Sequence, residues 1–260
     1  HKANKADVTI ACMPVPIEEA SRFGVMITDG AGRITEFEEK PEKPSSNLAS
    51  MGIYIFSWPV LKEALIKLKD QPNCDFGKHI IPYCHDKGDR LFAYEYNGYW
   101  KDVGTVDSLW EANLDLLNPK INLNLSDRNW RIYSRTVALP PQYISDTAKV
   151  EHSLITDGCE VNGLLDYSIL FENVVVGEGA KVEYSLVMPG AVIKRGANVK
   201  YAIIAENAVI DENASVGADP EDIAPEDFGI TVIGSGVTVG KGVKINAKEM
   251  ITESIVKEEA

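Results

Sequence analysis

The sequence predicts a mixed α/β domain followed by a triangular parallel β-helix, and three observations predict it. Over residues 1–117, short apolar strands alternate with amphipathic helices, the pattern of an α/β layer. Residues 166–216 form three consecutive seventeen-residue units that align without gaps. Between these regions, residues 118–147 have poor periodicity and carry Pro119, Pro140 and Pro141, which marks a connection. The domains are therefore expected at 1–117 and 148–260, with 118–147 as linker.

The chain opens "HKANKADVTIACMPVP". "HKANKA" reads as the last turns of a polar-faced helix, and "DVTIACM" as a buried strand. A domain seldom begins on a helix end, so an N-terminal part is expected to be missing. Strands are predicted at Val8–Met13, Gly24–Thr28, Arg33–Phe37, Ser50–Phe56, Leu91–Tyr96 and Tyr99–Val103. "TDGAGRI" supplies the glycines of a hairpin between the second and third. Helices are predicted at Ile17–Arg22, Pro59–Lys69, Phe76–His85 and Val106–Leu117. In the last, Asp107, Glu111 and Asp115 share a polar stripe, leaving Leu109, Ala112, Leu116 and Leu117 for a core.

The units are "DYSILFENVVVGEGAKV", "EYSLVMPGAVIKRGANV" and "KYAIIAENAVIDENASV". Tyr167, Tyr184 and Tyr201 coincide, as do Leu170, Val187 and Ile204. Val176, Ile193 and Ile210 also coincide, and so do Val182, Val199 and Val216. The last two apolar positions of each unit lie six apart, and "VIGSGVTVGKGVKI" continues that step through Ile233, Val239 and Ile245. A step of about six, three to a turn, builds a triangular coil whose apolar residues stack inside. Gly and Asn tolerate the corners. "EHSLITDGCEV" reads as an earlier, shortened coil, and the acidic "ADPEDIAPEDFG" as a loop leaving a corner.

Composition narrows the function. The 260 residues carry 39 acidic and 26 basic side chains, a net charge of −13. Such a surface repels nucleic acid and anionic membrane, so neither is expected as a partner. No apolar run approaches a membrane span and no leader pattern is present. Cys12, Cys74, Cys84 and Cys159 form no C-x-x-C and read as reduced thiols of a cytoplasmic protein. Hexapeptide-coil acyltransferases use a histidine, but the coil region has only His152, near its beginning, so its coils read as scaffold.

Six motifs occur in order: "ACMPVPIEEASRFGVM", "EFEEKP", "LASMGIYIF", "DFGKHIIP", "YWKDVGT" with "LWEANLDLL", and "DRNWRIYS" followed by "LPP". In this order and spacing they resemble glucose-1-phosphate adenylyltransferase, also called ADP-glucose pyrophosphorylase, over nearly the whole chain. The resemblance implies a partial nucleotidyltransferase domain with a Rossmann-like mixed sheet, then a left-handed β-helix. It implies that ATP and α-D-glucose 1-phosphate give ADP-glucose and pyrophosphate, the activating step of bacterial glycogen synthesis. It also implies Mg²⁺, small-molecule allosteric effectors and a homotetramer.

The family's sugar-phosphate residues fall on Gly24, Glu39, Lys40, Ser50, Asp75 and Phe76, and its metal-binding aspartate on Asp102. A carboxylate at Glu39 can accept from sugar hydroxyls, and the Lys40 ammonium supplies charge to phosphate. Pro41 biases Lys40 toward extended backbone. Gly24 also suits a turn that opens a strand, and Ser50 a strand start. Asp75 serves equally as the cap of the helix from Phe76, and Asp102 as a strand-end cap. The family's glycine-rich "GGxGTRL"-type loop and its other metal-binding aspartate have no counterpart here. No catalytic residue is therefore assigned, and the chain by itself is expected to be inactive. Alternatives are another sugar-nucleotide pyrophosphorylase, a non-catalytic regulatory paralogue and a structural or acyltransferase β-helix. The presence of both Lys40 and Asp102 favours a catalytic subunit.

Overall fold

The computed structural model describes residues 1–256 apart from Asn122, Ser126, Arg135 and Thr136. The last four residues of the expected β-helix domain lie outside the described residues. The chain divides into two compact units, His1–Trp100 and Lys101–Ala260. The sequence reading ends the first domain at residue 117, before a linker at 118–147; in the structure Val106, Trp110 and Leu114 belong with the second unit.

The first unit is a five-stranded mixed sheet. Its strands are β1 (Val8–Pro14), β2 (Gly24–Thr28), β3 (Ile34–Glu39), β4 (Leu48–Phe56) and β5 (Leu91–Glu95), in the order β3-β2-β4-β1-β5. β1 runs antiparallel to β4 and parallel to β5, and β2 is antiparallel to both β3 and β4. Val8, Ile10, Cys12, Met26, Ile34, Ile80, Ile81, Cys84 and Leu91 form its core. Helices α1 (Trp58–Lys67) and α2 (Ile81–Asp86) follow β4. The other side of β4 is bare: Ile53 and Ile55 are each 53% exposed and line an apolar groove with Met51, Tyr94 and Trp100.

His1–Ala6 carries the bonding that ends helices. Lys5 N donates to Lys2 O and Ala6 N to His1 O, with Lys5 left-handed at φ 48°. Three expected elements differ. Ile17–Arg22 reduces to a 3₁₀ turn at Ala20–Arg22, since six residues are too few to repay helix nucleation. Tyr99–Val103 is irregular, because strand propensity without a strand to pair with does not make a strand. The run Phe76–His85 splits into a π-turn, Phe76–Ile80, and α2. Pro82 has no N–H to give Lys78 O, and the wider turn absorbs the missing bond.

Among the described residues of the second unit, three parallel sheets of six strands each wrap as the faces of a triangular β-helix, in agreement with the implied left-handed coil. The first strand, Tyr143–Ile144, already pairs with Glu160–Val161, so the coils begin inside the segment read as linker. Leu170, Val187 and Ile204 are wholly buried, as are Val176, Ile193 and Ile210. The seventeen-residue register is therefore one coil per unit: Val182 pairs with Val199, and Val199 with Val216. Residues 218–229 leave a corner and contain only a 3₁₀ turn, Pro225–Asp227.

The coinciding tyrosines sit at one corner in the left-handed region, with φ of 43°, 47° and 46°. That conformation costs a bulky residue about 1–2 kcal/mol. Stacking offsets it: the rings of Tyr167–Tyr184 and Tyr184–Tyr201 lie 5.1 and 4.8 Å apart and nearly parallel, and His152 stacks on Tyr167 at 4.8 Å. Helix α3 (Val106–Leu114) packs on an outward apolar row, Ile169, Leu186 and Ile203, through Val106, Trp110 and Leu114. Trp110 Nε1 donates to Tyr184 O at 2.8 Å. Leu109, expected in the core, is 36% exposed, and Trp110 takes the inward position.

Candidate functional site

Glu39 ends β3 and pairs across the ladder with Gly24, the first residue of β2. A side chain at Gly24 would meet the Phe37 ring at 2.7 Å and Glu39 Oε2 at 2.8 Å, so glycine is what lets Glu39 fold back over β2. Lys40 N extends the ladder by one bond, donating to Phe23 O at 3.1 Å. Lys40 itself is left-handed, φ 49°, which corrects the extended backbone expected before Pro41. The ladder bond holds the residue while the chain turns out of the strand toward Pro41. Strain of this kind in a non-glycine residue collects at functional positions.

β4 brings the next pair. Between Ile10↔Tyr54 and Cys12↔Ser50, β4 carries two more residues than β1, and Gly52 at φ 70° makes the bulge. Ser50 is 7% exposed; its Oγ accepts from Gly52 N at 3.2 Å, and it lies near enough to the Tyr54 phenol to lower its pKa against the effect of burial. Tyr54 in turn stacks on Phe76 at 5.6 Å and 15°.

The π-turn closes the cluster. Asp75 caps it, with Oδ1 accepting from Lys78 N at 2.9 Å. The capping role weighed for Asp75 is thus occupied, on the same turn that carries Phe76. Gly77 is buried directly against the Glu39 carboxyl: a Cβ there would lie 2.7 Å from Cδ. Desolvation pushes the Glu39 carboxyl above its ordinary pKa, and the Asp75 charge adds to this; Lys40 and Lys78 oppose it. Burial also raises the Tyr54 phenol, with the Glu39 and Asp75 charges contributing. A half-buried carboxylate, a buried hydroxyl, an aromatic pair and two lysines thus converge. Such a set can accept hydrogen bonds from hydroxyls, cover an apolar ring face and balance an anion.

The structure thus brings together Gly24, Glu39, Lys40, Ser50, Asp75 and Phe76. Sequence reasoning missed Tyr54, Gly77 and Lys78. Tyr54 was reachable from its four-residue offset to Ser50 on one strand, and Gly77 from a glycine inside a helical run. Asp102 belongs to the second unit and is exposed in the irregular stretch before α3. No group of three or more His, Cys, Asp or Glu among the described residues could hold a metal ion. Asp102 therefore fits Mg²⁺ only as one ligand among phosphate oxygens and water. Among the described residues no helix is long and apolar enough to cross a membrane.

Residues 1–119 match the family model for nucleotidyl transferases, and residues 140–240 that for the GlmU-like C-terminal hexapeptide. The fold and these two matches define a nucleotidyl transferase domain joined to a hexapeptide β-helix. More particularly, the chain is a homologue of glucose-1-phosphate adenylyltransferases. It is 63% identical over 178 residues to the one from Lachnospira eligens, covering 68% of this chain and 42% of that protein. It is 55% identical over 184 residues to those from Bacillus cereus and Bacillus mycoides, covering 70% of this chain and 49% of each. The chain spans about half the length of the curated relatives it matches.

Proposed function

We propose that the chain serves glucose-1-phosphate adenylyltransfer, in which ATP and α-D-glucose 1-phosphate give ADP-glucose and pyrophosphate for glycogen synthesis, and that it holds the sugar phosphate. The observation that carries this is the convergence of Glu39, Ser50, Tyr54, Asp75 and Phe76 beside Lys40 and Lys78. The chain's identity to enzymes of that name supports it.

Glu39 and Ser50 hydrogen-bond the sugar hydroxyls, while Phe76 and Tyr54 cover the ring. Lys40 grips the phosphate. Both reactants are polyanions, so charge neutralisation and alignment of the attacking phosphate oxygen with the α-phosphorus of ATP dominate catalysis. Mg²⁺, with Asp102 as its protein ligand, would supply further neutralisation of phosphate charge. The 260 residues contain no glycine-rich phosphate loop of the "GGxGTRL" type, so we assign them the sugar-phosphate side of the reaction.

Homotetramer assembly, allosteric effectors and a cytoplasmic setting belong to the same proposal. The outward row on the β-helix supports a shared edge: its ends, Leu154 and Met250, are 43% and 63% exposed. The four free cysteines suit a reducing compartment. The test is an equilibrium titration of the chain with glucose 1-phosphate, glucose 6-phosphate, glucose and inorganic phosphate. Saturation by glucose 1-phosphate ahead of the other three is expected; equal or absent binding of all four overturns the assignment.

A further inference from the structure

The turn that presents Asp75 and Phe76 is itself held by a side chain that would not touch the sugar. Asp75 N donates to His79 Nδ1 at 3.1 Å, while His79 N donates back to Asp75 O at 3.0 Å. Ile80 N shares that carbonyl at 3.2 Å, and Lys78 N uses the Asp75 carboxylate. Every polar group of Asp75 is thus engaged within one turn, and the half-buried His79 ring closes the set. On its far side, His79 Nε2 lies 3.2 Å from Gln71 Nε2.

These contacts fix the ring's state. A backbone N–H can donate only to a nitrogen that carries a lone pair, so Nδ1 is unprotonated. The proton of the neutral ring is then on Nε2, so the Gln71 amide is assigned in its flipped orientation, with Oε1 in the place of Nε2 as acceptor. The ring so held bridges Gln71 to Asp75. Phe76, the next residue, stacks on Tyr54, and Asp75 lies within electrostatic reach of Glu39.

We infer that His79 is a positioning residue for sugar-phosphate binding: its neutral, Nε2-protonated ring locks the Asp75–Phe76 turn against Glu39 and Tyr54. This rests on the sugar-phosphate reading above. A shape-filling role would be kept by any side chain of similar size, whereas the lock needs an acceptor at the Nδ1 position. Asn offers its Oδ1 at that place, and Ala offers nothing.

The experiment uses the 260-residue chain in three forms: unchanged, His79→Ala and His79→Asn. Glucose 1-phosphate is titrated onto each by calorimetry, thermal unfolding is recorded, and the ring nitrogens of the unchanged chain are observed by ¹⁵N NMR. His79→Ala should weaken binding roughly five- to tenfold, the loss of one hydrogen bond, with little change in Tm. His79→Asn should bind like the unchanged chain, and the NMR spectrum should show the proton on Nε2. Equal binding by His79→Ala, no rescue by His79→Asn, or a proton on Nδ1 each overturns the role of His79 alone. Absence of binding by the unchanged chain overturns the sugar-phosphate reading itself. Should His79→Ala fail to fold, the Asn variant and the ring spectrum still decide.

Discussion

Gly77→Ala separates stability from binding. The added methyl would sit 2.7 Å from Glu39 Cδ and 3.2 Å from Oε1, closer than carbon atoms tolerate without movement. What must move is the far end of a flexible side chain, so the backbone need not adjust. Alanine is favoured over glycine in helical conformations by up to ~1 kcal/mol, which offsets the shift. Net stability should change by less than about 1 kcal/mol. Glu39 nevertheless leaves the position from which it reaches sugar hydroxyls. A hydrogen bond to a charged group contributes about 1.5–3 kcal/mol, so affinity should fall roughly ten- to a hundredfold. Calorimetric titration with glucose 1-phosphate beside a thermal melt measures both quantities. Unchanged affinity with a Cβ at 77 would refute the idea that Glu39 binds sugar from this niche.

The remaining predictions concern charge, strain and the aromatic corner. Glu39 has a folded pKa raised above 4.5, so the folded state favours its protonated form. The stability this gives is fully present below pH 4.5 and lost as pH rises through the folded pKa. Glu39→Gln should therefore stabilise the ligand-free chain near neutrality, an advantage that shrinks in melts at lower pH; a constant difference across pH would contradict it. Lys40 is left-handed at φ 49°, so Lys40→Gly should be about 1 kcal/mol more stable than Lys40→Ala in denaturant titrations, while both lose glucose 1-phosphate. Tyr184 is sandwiched at 5.1 and 4.8 Å, and Tyr184→Ala should cost about 2–4 kcal/mol of β-helix stability by chemical unfolding. Asp7 receives Arg90 Nε and Nη2, both at 3.1 Å, and its pKa is lowered. The stability it contributes is present above pH 3.8 and lost as pH falls through the folded pKa. Asp7→Asn should therefore cost about 1 kcal/mol at pH 7 and progressively less in acid melts.

The β-helix was legible because its periodicity is a packing rule written residue by residue: Val176, Ile193 and Ile210 are apolar where the coil turns inward and fall one coil apart. The candidate site was legible only as a set of motifs, since "FEEKP" and "DFGKHIIP" carry its polar groups. Its assembly was not, because it depends on long-range geometry. The bulge at Gly52 places Tyr54 beside Ser50, and the π-turn before Pro82 sets Gly77 against Glu39. The backbone of Lys40 defied its sequence context, because a ladder bond to Phe23 outweighed the local preference imposed by Pro41. Trp110 displaced Leu109 from the core for a similar reason: the partner surface, with its Tyr184 carbonyl, decides which side of α3 turns inward.

The claim that Glu39 and Lys40 form the sugar-phosphate grip is tested most directly by a crystal structure of the chain soaked with glucose 1-phosphate. The phosphate should lie within hydrogen-bond reach of Lys40 Nζ, with a sugar hydroxyl on Glu39 and the ring against Phe76. Density for the sugar phosphate on the β-helix, or in the first unit away from Glu39 and Lys40, would contradict it.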